Sequence, residues 1–158
     1  MINIEENDFR AIDSFPLNWR WTDSRWNKLP PDALSSIQPL SESKARELCQ
    51  YSLAFEDQSG LMESLFESTT RINTSGDEAE IRQWLINRSP DLNRTVVVSW
   101  DNELAALVRW EVFCEYWDDF CYPSSDDVMI FPQSGEWMLS YSHDEYFIYG
   151  ERSVGAAA

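Results

Sequence analysis

Apolar residues recur at three- and four-residue spacing in two stretches of the first half, and each stretch predicts an amphipathic helix. The first begins after Ser41, a good N-cap residue, and runs through Leu53. The second is capped by Asp77 or by Ser75. It ends at Ser89-Pro90, because the residue before a proline avoids the helical conformation.

Two more helices are predicted from the same periodicity, one short and one long. The short one covers residues 61–66, directly after the break at Gly60. The long one is capped by Asp101 and runs from Leu104 to Phe120, where aromatic and apolar residues form a wide apolar face. We expect this long helix to be mostly buried.

The remaining apolar stretches have the pattern of strands. Residues 95–100 include three consecutive valines, which predicts a central strand buried on both faces. The last third alternates over 128–131, 137–141 and 146–149, with turn residues at 132–135 and 142–145, which predicts a three-stranded antiparallel meander. Helices followed by strands indicate an α+β fold.

The first forty residues lack a regular period. Prolines interrupt them repeatedly, while Trp19, Trp21 and Trp26 supply large side chains that can hold extended chain against a core. We therefore predict an irregular wrapping segment over residues 1–40 of a single domain that spans 1–154, because no linker divides the chain. Residues 155–158 are a tail of small residues, of the kind that cloning adds.

Composition changes this picture mainly through charge. The chain has 28 acidic and 12 basic residues and a formal net charge of -16 over 158 residues. With 43% hydrophobic residues, including 8 Trp and 8 Phe, it is not an acidic disordered segment. Such a surface repels nucleic acid and anionic lipid and attracts basic proteins.

Cysteine usage and the N-terminus indicate a reducing compartment. Cys49, Cys114 and Cys121 are odd in number and lie in apolar or helical stretches, which is typical of buried thiols. The N-terminus has acids where a secretory leader has bases, and no stretch approaches the roughly 20 apolar residues of a membrane span. We expect a cytoplasmic protein.

Catalytic signatures are few. His143 is the only histidine, which excludes a histidine pair, and its setting in Ser142-His143-Asp144-Glu145 is more typical of an exposed turn than of a general base. The acid pairs Asp118-Asp119 and Asp126-Asp127 lack the spacing of a calcium loop. We predict no enzyme, no metal and no cofactor.

The densest negative stretch is the better candidate site. Residues 101–127 hold eight acids against the single base Arg109, and aromatic residues are interleaved with them. Protein interfaces combine aromatic anchors with a polar rim, although aromatics at helical spacing also simply pack inward. The predicted partner-binding residues are Glu115, Tyr116, Asp118, Asp119, Tyr122, Asp126 and Asp127.

The second half resembles a known group of proteins. The resemblance rests on Trp110-x-x-Phe113-x-x-x-Trp117-x-x-Phe120-x-Tyr122-Pro123-Ser124-x-Asp126-Asp127, on Trp137, on Ser142-His143-Asp144-Glu145 and on Phe147-x-Tyr149-Gly150. These motifs are similar to those of small acidic bacterial immunity proteins from polymorphic toxin systems, and of a related gammaproteobacterial domain of unknown function. Residues 26–48, with Ile37-x-Pro39-Leu40-Ser41, add a fainter likeness.

The resemblance implies an inhibitor that binds one cognate toxin inside the producing cell and has no catalytic residues. A basic nuclease is the simplest target, because its cleft must hold phosphates. Two alternatives remain open. One is a nucleic-acid mimic that inhibits DNA-binding proteins broadly, and the other is a small enzyme that uses His143 and the acid pairs.

Overall fold

A seven-stranded, fully antiparallel sheet organises the protein, with strand order β1-β6-β5-β7-β8-β9-β4. A separate two-stranded hairpin consists of β2 and β3. The computed structural model describes residues 2–58 and 60–152, so the predicted tail at 155–158 lies outside the described residues. The strands are β1 Gln38–Pro39, β2 Glu56–Asp57, β3 Gly60–Leu61, β4 Ser68–Asn73, β5 Thr95–Ser99, β6 Ala105–Arg109, β7 Val128–Pro132, β8 Trp137–Ser142 and β9 Tyr146–Glu151.

Within the described residues, six helices accompany the sheet, so the predicted α+β class is confirmed. They are α1 Trp19–Thr22, α2 Pro31–Ser36, α3 Glu42–Leu53, α4 Glu78–Arg88, α5 Trp110–Glu115 and α6 Trp117–Phe120. Single 3-10 turns cover Glu6–Asp8, Ile12–Ser14 and Glu63–Leu65. Over residues 2–41, before α3, the described chain holds only the two short helices, two of these turns and β1, in line with the irregular N-terminus expected from its prolines.

The two capped helices form where the sequence predicts them. The Ser41 hydroxyl accepts the N–H of Lys44 at 3.2 Å at the start of α3, and the Asp77 carboxylate accepts the N–H of Ala79 at 3.1 Å at the start of α4. Each cap satisfies a backbone donor that has no partner inside its helix. Both helices end as predicted, at Leu53 and just before Ser89.

The predicted long helix over 104–120 is wrong in its first third. Residues 105–109 form β6 between β1 and β5, and only the short helices α5 and α6 follow. Asp101 is not an N-cap; its carboxylate accepts the N–H groups of Glu103 and Leu104 and closes the β5–β6 turn. The sequence misleads here because a strand buried on both faces and a buried helix both appear as an unbroken apolar run.

The predicted short helix over 61–66 is also wrong. Gly60, at φ +116°, and Leu61 form β3 of the small hairpin, and only one 3-10 turn follows. Strand β4 was not predicted at all, because its polar sequence shows no clear alternation. It pairs with β9 along its whole length and forms one edge of the large sheet.

The strands predicted over residues 128–149 and over the three consecutive valines at 96–98 are confirmed. β7, β8 and β9 form the antiparallel meander, and β5 is an interior strand between β6 and β7. Val96 and Val98 face one hydrophobic core while Val97 faces the other. The first core packs α4, α5, α6 and the N-terminal segment against the sheet, and the second packs α3 against the opposite face.

Candidate protein-binding surface

The structure divides the seven predicted contact residues among three places. Asp118 and Tyr122 lie partly exposed on one surface, with Asp119 and Asp126 buried behind it. Glu115 and Tyr116 line a separate cavity of about 290 Å³ beside α2. Asp127 is exposed and lies at a third place, next to His143.

Asp126 belongs to a buried ion pair that sequence reasoning did not find. It is only 9% exposed, and both of its carboxylate oxygens accept hydrogen bonds from the Arg20 guanidinium, at 2.6 and 3.2 Å. The same carboxylate accepts the backbone N–H of Tyr122 at 2.9 Å. Bidentate pairing of this kind fixes the geometry of both partners, so Asp126 holds α1 to the loop after α6 rather than offering a free charge to a partner.

Asp119 is buried as well, at 7% exposure. Its carboxylate accepts a hydrogen bond from the Asn27 amide at 2.7 Å, and its carbonyl accepts the indole N–H of Trp21 at 3.1 Å. Burial raises the pKa of Asp119 to about 6, aided by the negative charges of Asp118 and Glu78, although the Asn27 hydrogen bond acts in the opposite direction. The Asp119 carboxylate therefore connects α6 to the chain that carries Trp26.

Replacing Asp119 with asparagine is expected to change how stability depends on pH. Because the folded-state pKa lies above the unfolded value, Asp119 favours the folded state most at low pH, and this contribution is lost as the pH rises through about 6. At about pH 7.5, D119N should therefore be more stable than the original chain by about 2 kcal/mol. Urea unfolding followed by tryptophan fluorescence at about pH 5 and about pH 7.5 measures the difference. If the free energies of unfolding of D119N and the original chain differed by the same amount at both pH values, the prediction would be contradicted.

Three aromatic rings form a continuous row over the buried pair. The rings of Trp26 and Trp19 lie 5.0 Å apart, those of Trp19 and Tyr122 lie 5.8 Å apart, and the Arg20 guanidinium stacks on Tyr122 at 4.0 Å. Trp26 is 57% exposed, the most exposed of the large hydrophobic residues described. We name this row together with Asp118 the aromatic–acidic surface; its members are Trp19, Trp26, Tyr122 and Asp118.

Trp26 and Arg20 are the functional candidates that the sequence analysis missed. The sequence pattern predicts all three N-terminal tryptophans as anchors to the core, whereas of the three only Trp21 is fully buried. Trp19 and Trp26 are seven residues apart in the sequence. The chain between them is a four-residue helix followed by a turn, so their spacing in the sequence does not predict that the two rings are in contact. An exposed tryptophan held by neighbouring rings is a typical interface anchor.

Half of the 12 basic residues are paired with acidic side chains of the described chain. These six residues form ion pairs, which leaves most of the 28 acidic residues without a cationic partner. These pairs are Arg20–Asp126, Arg25–Asp23, Lys44 with Asp8 and Glu47, Arg82–Glu115, Arg94–Glu136 and Arg109–Glu111. The negative field predicted from composition is therefore presented to solvent.

His143 lies in the β8–β9 turn, as its sequence context predicts. Its Nδ1 is 3.0 Å from a carboxylate oxygen of Asp127, and both side chains are exposed. The hydrogen bond that His143 donates to the Asp127 carboxylate, followed by the charges of Asp127 and Asp144, raises the pKa of His143. Over residues 2–58 and 60–152, no cluster of three or more His, Cys, Asp or Glu side chains could hold a metal ion.

All three cysteines are free thiols. Cys114 and Cys121 are buried, and burial raises the pKa of both, so neither favours a reactive thiolate. Cys49 is half-buried and its pKa is also raised, mainly by burial.

Among the helices of the described part, none has the length and apolar character needed to cross a membrane.

Comparison with known proteins gives no match. No protein-family model, no curated protein and no solved structure matches this chain. The aromatic–acidic surface and the charge around it are the features of this chain that bear on its function.

Proposed function

We propose that this protein is an immunity protein that binds and neutralises a basic bacterial toxin domain in the cytoplasm of the cell that makes both. The observation that carries the proposal is Trp26, exposed on a row of aromatic rings that a buried Arg20–Asp126 pair holds in place. The resemblance of the second half to small acidic immunity proteins supports the same function.

The charge and the aromatic row have separate roles in this proposal. A surface with a large acid excess speeds the encounter with a basic partner, mostly by long-range attraction. The lifetime of the complex depends on buried contacts at the centre of the interface, where Trp26 is the natural anchor. Asp118 is partly exposed, its charge acts on Tyr122, and it supplies a carboxylate at the edge of this contact.

The buried acids change which residues are expected to touch the toxin. Asp119 and Asp126 shape the aromatic–acidic surface from behind, and Glu115 is paired with Arg82 at 3.4 Å. Their charges still contribute to the field, but a partner would have to break existing bonds to contact them directly. The direct contacts are Trp26, Tyr122 and Asp118.

A basic nuclease is the target that fits this surface best. Its cleft carries positive charge to hold phosphates, and carboxylates can occupy the same positions. A nucleic-acid mimic that inhibits many DNA-binding proteins is the second candidate, which the acid excess alone supports. The two differ in breadth and in salt dependence, because binding by diffuse charge is screened by salt while a packed aromatic contact is not.

A pull-down from the native cell lysate tests the proposal. The original chain and a W26A chain serve as baits, each washed at low and at high salt. The expected result is one stoichiometric partner that survives high salt on the original bait, is lost from W26A, and is toxic when expressed alone. Several basic partners that leave both baits at high salt would support the mimic and overturn the immunity function.

A further inference from the structure

An apolar groove of about 520 Å³ lies beside β1, the strand at one edge of the large sheet. Three parts of the chain form it: the N-terminal chain over residues 9–12, one side of α2, and β1 with the residue before it. Its volume is in the range typical of ligand-binding clefts. The apolar lining residues are Phe9, Ile12, Pro31, Leu34, Ile37 and Pro39.

The N-terminal chain extends the sheet beyond β1 through two hydrogen bonds. The Ser41 N–H donates to the Asp8 carbonyl at 2.6 Å, and the Arg10 N–H donates to the Pro39 carbonyl at 3.0 Å. In an antiparallel ladder, the next bond of this series would end on the Ile37 carbonyl. The N-terminal chain instead enters a 3-10 turn at this point, so the ladder stops there.

The Ile37 carbonyl is therefore an acceptor without a donor. Ile37 is 4% exposed, and within the described residues no group donates a hydrogen bond to its carbonyl oxygen. The Leu40 N–H bonds to Ala105 in β6, and strand alternation therefore turns the carbonyls of Pro39 and Ile37 away from β6. Buried backbone acceptors are nearly always paired, because an unpaired one costs free energy. An extended peptide in the groove would supply the missing N–H.

The charge of the protein decides which kind of peptide suits this groove. A net charge of -16 opposes docking of a second copy of this chain and favours a basic partner. Arg10 is the charged residue of the lining, and its guanidinium is already engaged. It stacks on the Phe15 ring at 4.9 Å and donates to the Glu103 carbonyl at 3.1 Å. The remaining surface of the groove suits an uncharged, apolar side chain.

We propose that this groove binds an extended segment of a basic partner protein, which continues the short ladder at Ile37 and places one apolar side chain against Phe9 and Leu34. Peptides that bind at a sheet edge gain affinity from main-chain hydrogen bonds and specificity from pockets for their side chains. The groove offers one free carbonyl and one apolar pocket, side by side. Lysine or arginine residues next to the apolar residue are favoured by the acidic field.

Titration with a short basic peptide tests the groove without any partner protein. Acetyl-Lys-Leu-Lys-amide is added to the full chain in low-salt buffer at neutral pH, and the signals of the protein are followed by NMR. We expect saturable shifts of the Leu34, Ser35 and Gln38 amides, with a dissociation constant of about 1 mM. The carbonyl carbon of Ile37 should move downfield, as carbonyl carbons do when they accept a hydrogen bond. An unmoved Ile37 carbonyl carbon would overturn the proposal.

Two matched peptides separate the apolar contact from the charge. Acetyl-Lys-Ser-Lys-amide keeps the charge and lacks the apolar side chain, whereas acetyl-Glu-Leu-Glu-amide keeps the side chain and reverses the charge. Each should bind at least about tenfold more weakly than the lysine–leucine peptide. Equal binding of the serine peptide would mean diffuse attraction to an acidic protein, and equal binding of the glutamate peptide would exclude a basic partner. Either result would overturn the proposal.

Variants of the groove locate the binding. S35W places an indole in the groove from the exposed side of α2 and should weaken peptide binding more than about tenfold, whereas S43W makes the same change on exposed α3 and should leave binding unchanged. F9A shortens one wall and should weaken binding about threefold, while L65A, at 42% exposure outside the groove, should not. Unchanged binding by S35W or by F9A would overturn the proposal.

A dilution series without peptide tests the competing occupant. We expect the Leu34 and Ser35 amide signals to stay in place as the protein concentration rises. If they moved, a second copy of the chain would occupy the groove and the proposal would be overturned. The peptide result does not depend on the immunity function, because no residue of the aromatic–acidic surface lines the groove and the probe is a synthetic peptide.

Discussion

Replacing Asp126 with alanine is expected to lower the free energy of unfolding by about 3–5 kcal/mol. The change leaves the Arg20 guanidinium buried between Tyr122 and the chain without its carboxylate, and removes the acceptor for the Tyr122 N–H. An uncompensated buried cation is among the most costly single defects in a folded protein. Urea unfolding followed by tryptophan fluorescence measures the loss.

The adjacent residue offers a matched control. D127A removes the same kind of side chain one position later, where it is 66% exposed and accepts hydrogen bonds from His143. An exposed pair of this kind contributes little, so the loss should stay below about 1 kcal/mol. Equal losses in D126A and D127A would mean that the Arg20–Asp126 pair is not the buried support that its geometry indicates.

Replacing Trp26 with alanine is expected to weaken binding of the proposed toxin by about 2–4 kcal/mol, which corresponds to a roughly 30- to 800-fold higher dissociation constant. The indole is mostly exposed in the free protein, so its loss should cost little stability, while a bound partner would bury it completely. Isothermal titration of the toxin captured by the original bait measures the affinity. Unfolding by urea checks that W26A remains folded.

Leu53 provides a control of almost equal exposure. It is 56% exposed at the end of α3, which packs on the opposite face of the sheet from the aromatic–acidic surface. L53A should change the dissociation constant by less than about threefold, because truncating a residue outside an interface has little effect. If L53A and W26A weakened partner binding equally, the interface would not lie at the aromatic–acidic surface.

The sequence predicted the elements whose signals are local. The N-caps Ser41 and Asp77 and the turns of the last meander depend on neighbouring residues alone, and each appears in the structure. β6 has the composition of a buried helix, although it pairs with β5 across a short turn, whereas β4 has the polarity of a loop and pairs with β9 far along the chain. Pairing with β5 and with β9 decides their conformation, and no local pattern reports it.

The candidate site shows the same division between local and distant causes. Asp126 and Asp127 are identical neighbours, yet one is buried against Arg20 and the other is exposed beside His143. The difference comes from a contact across 106 residues, which composition and spacing cannot report. The excess of acidic residues can be counted in the sequence. Which acids are buried and hold the surface in place, and which are exposed to a partner, is seen only in the folded structure.

The position of β4 in the sheet has a consequence for the order of folding. β7, β8 and β9 are joined by short turns and can pair within microseconds to milliseconds, whereas Asn73 in β4 pairs with Tyr146 in β9 across on the order of 70 residues of chain. Closing so large a loop is entropically costly, so we expect β4 to join after the meander has formed. Its amides should then exchange with solvent deuterium sooner than those of β8, and β4 would be the first strand to separate when the native protein opens.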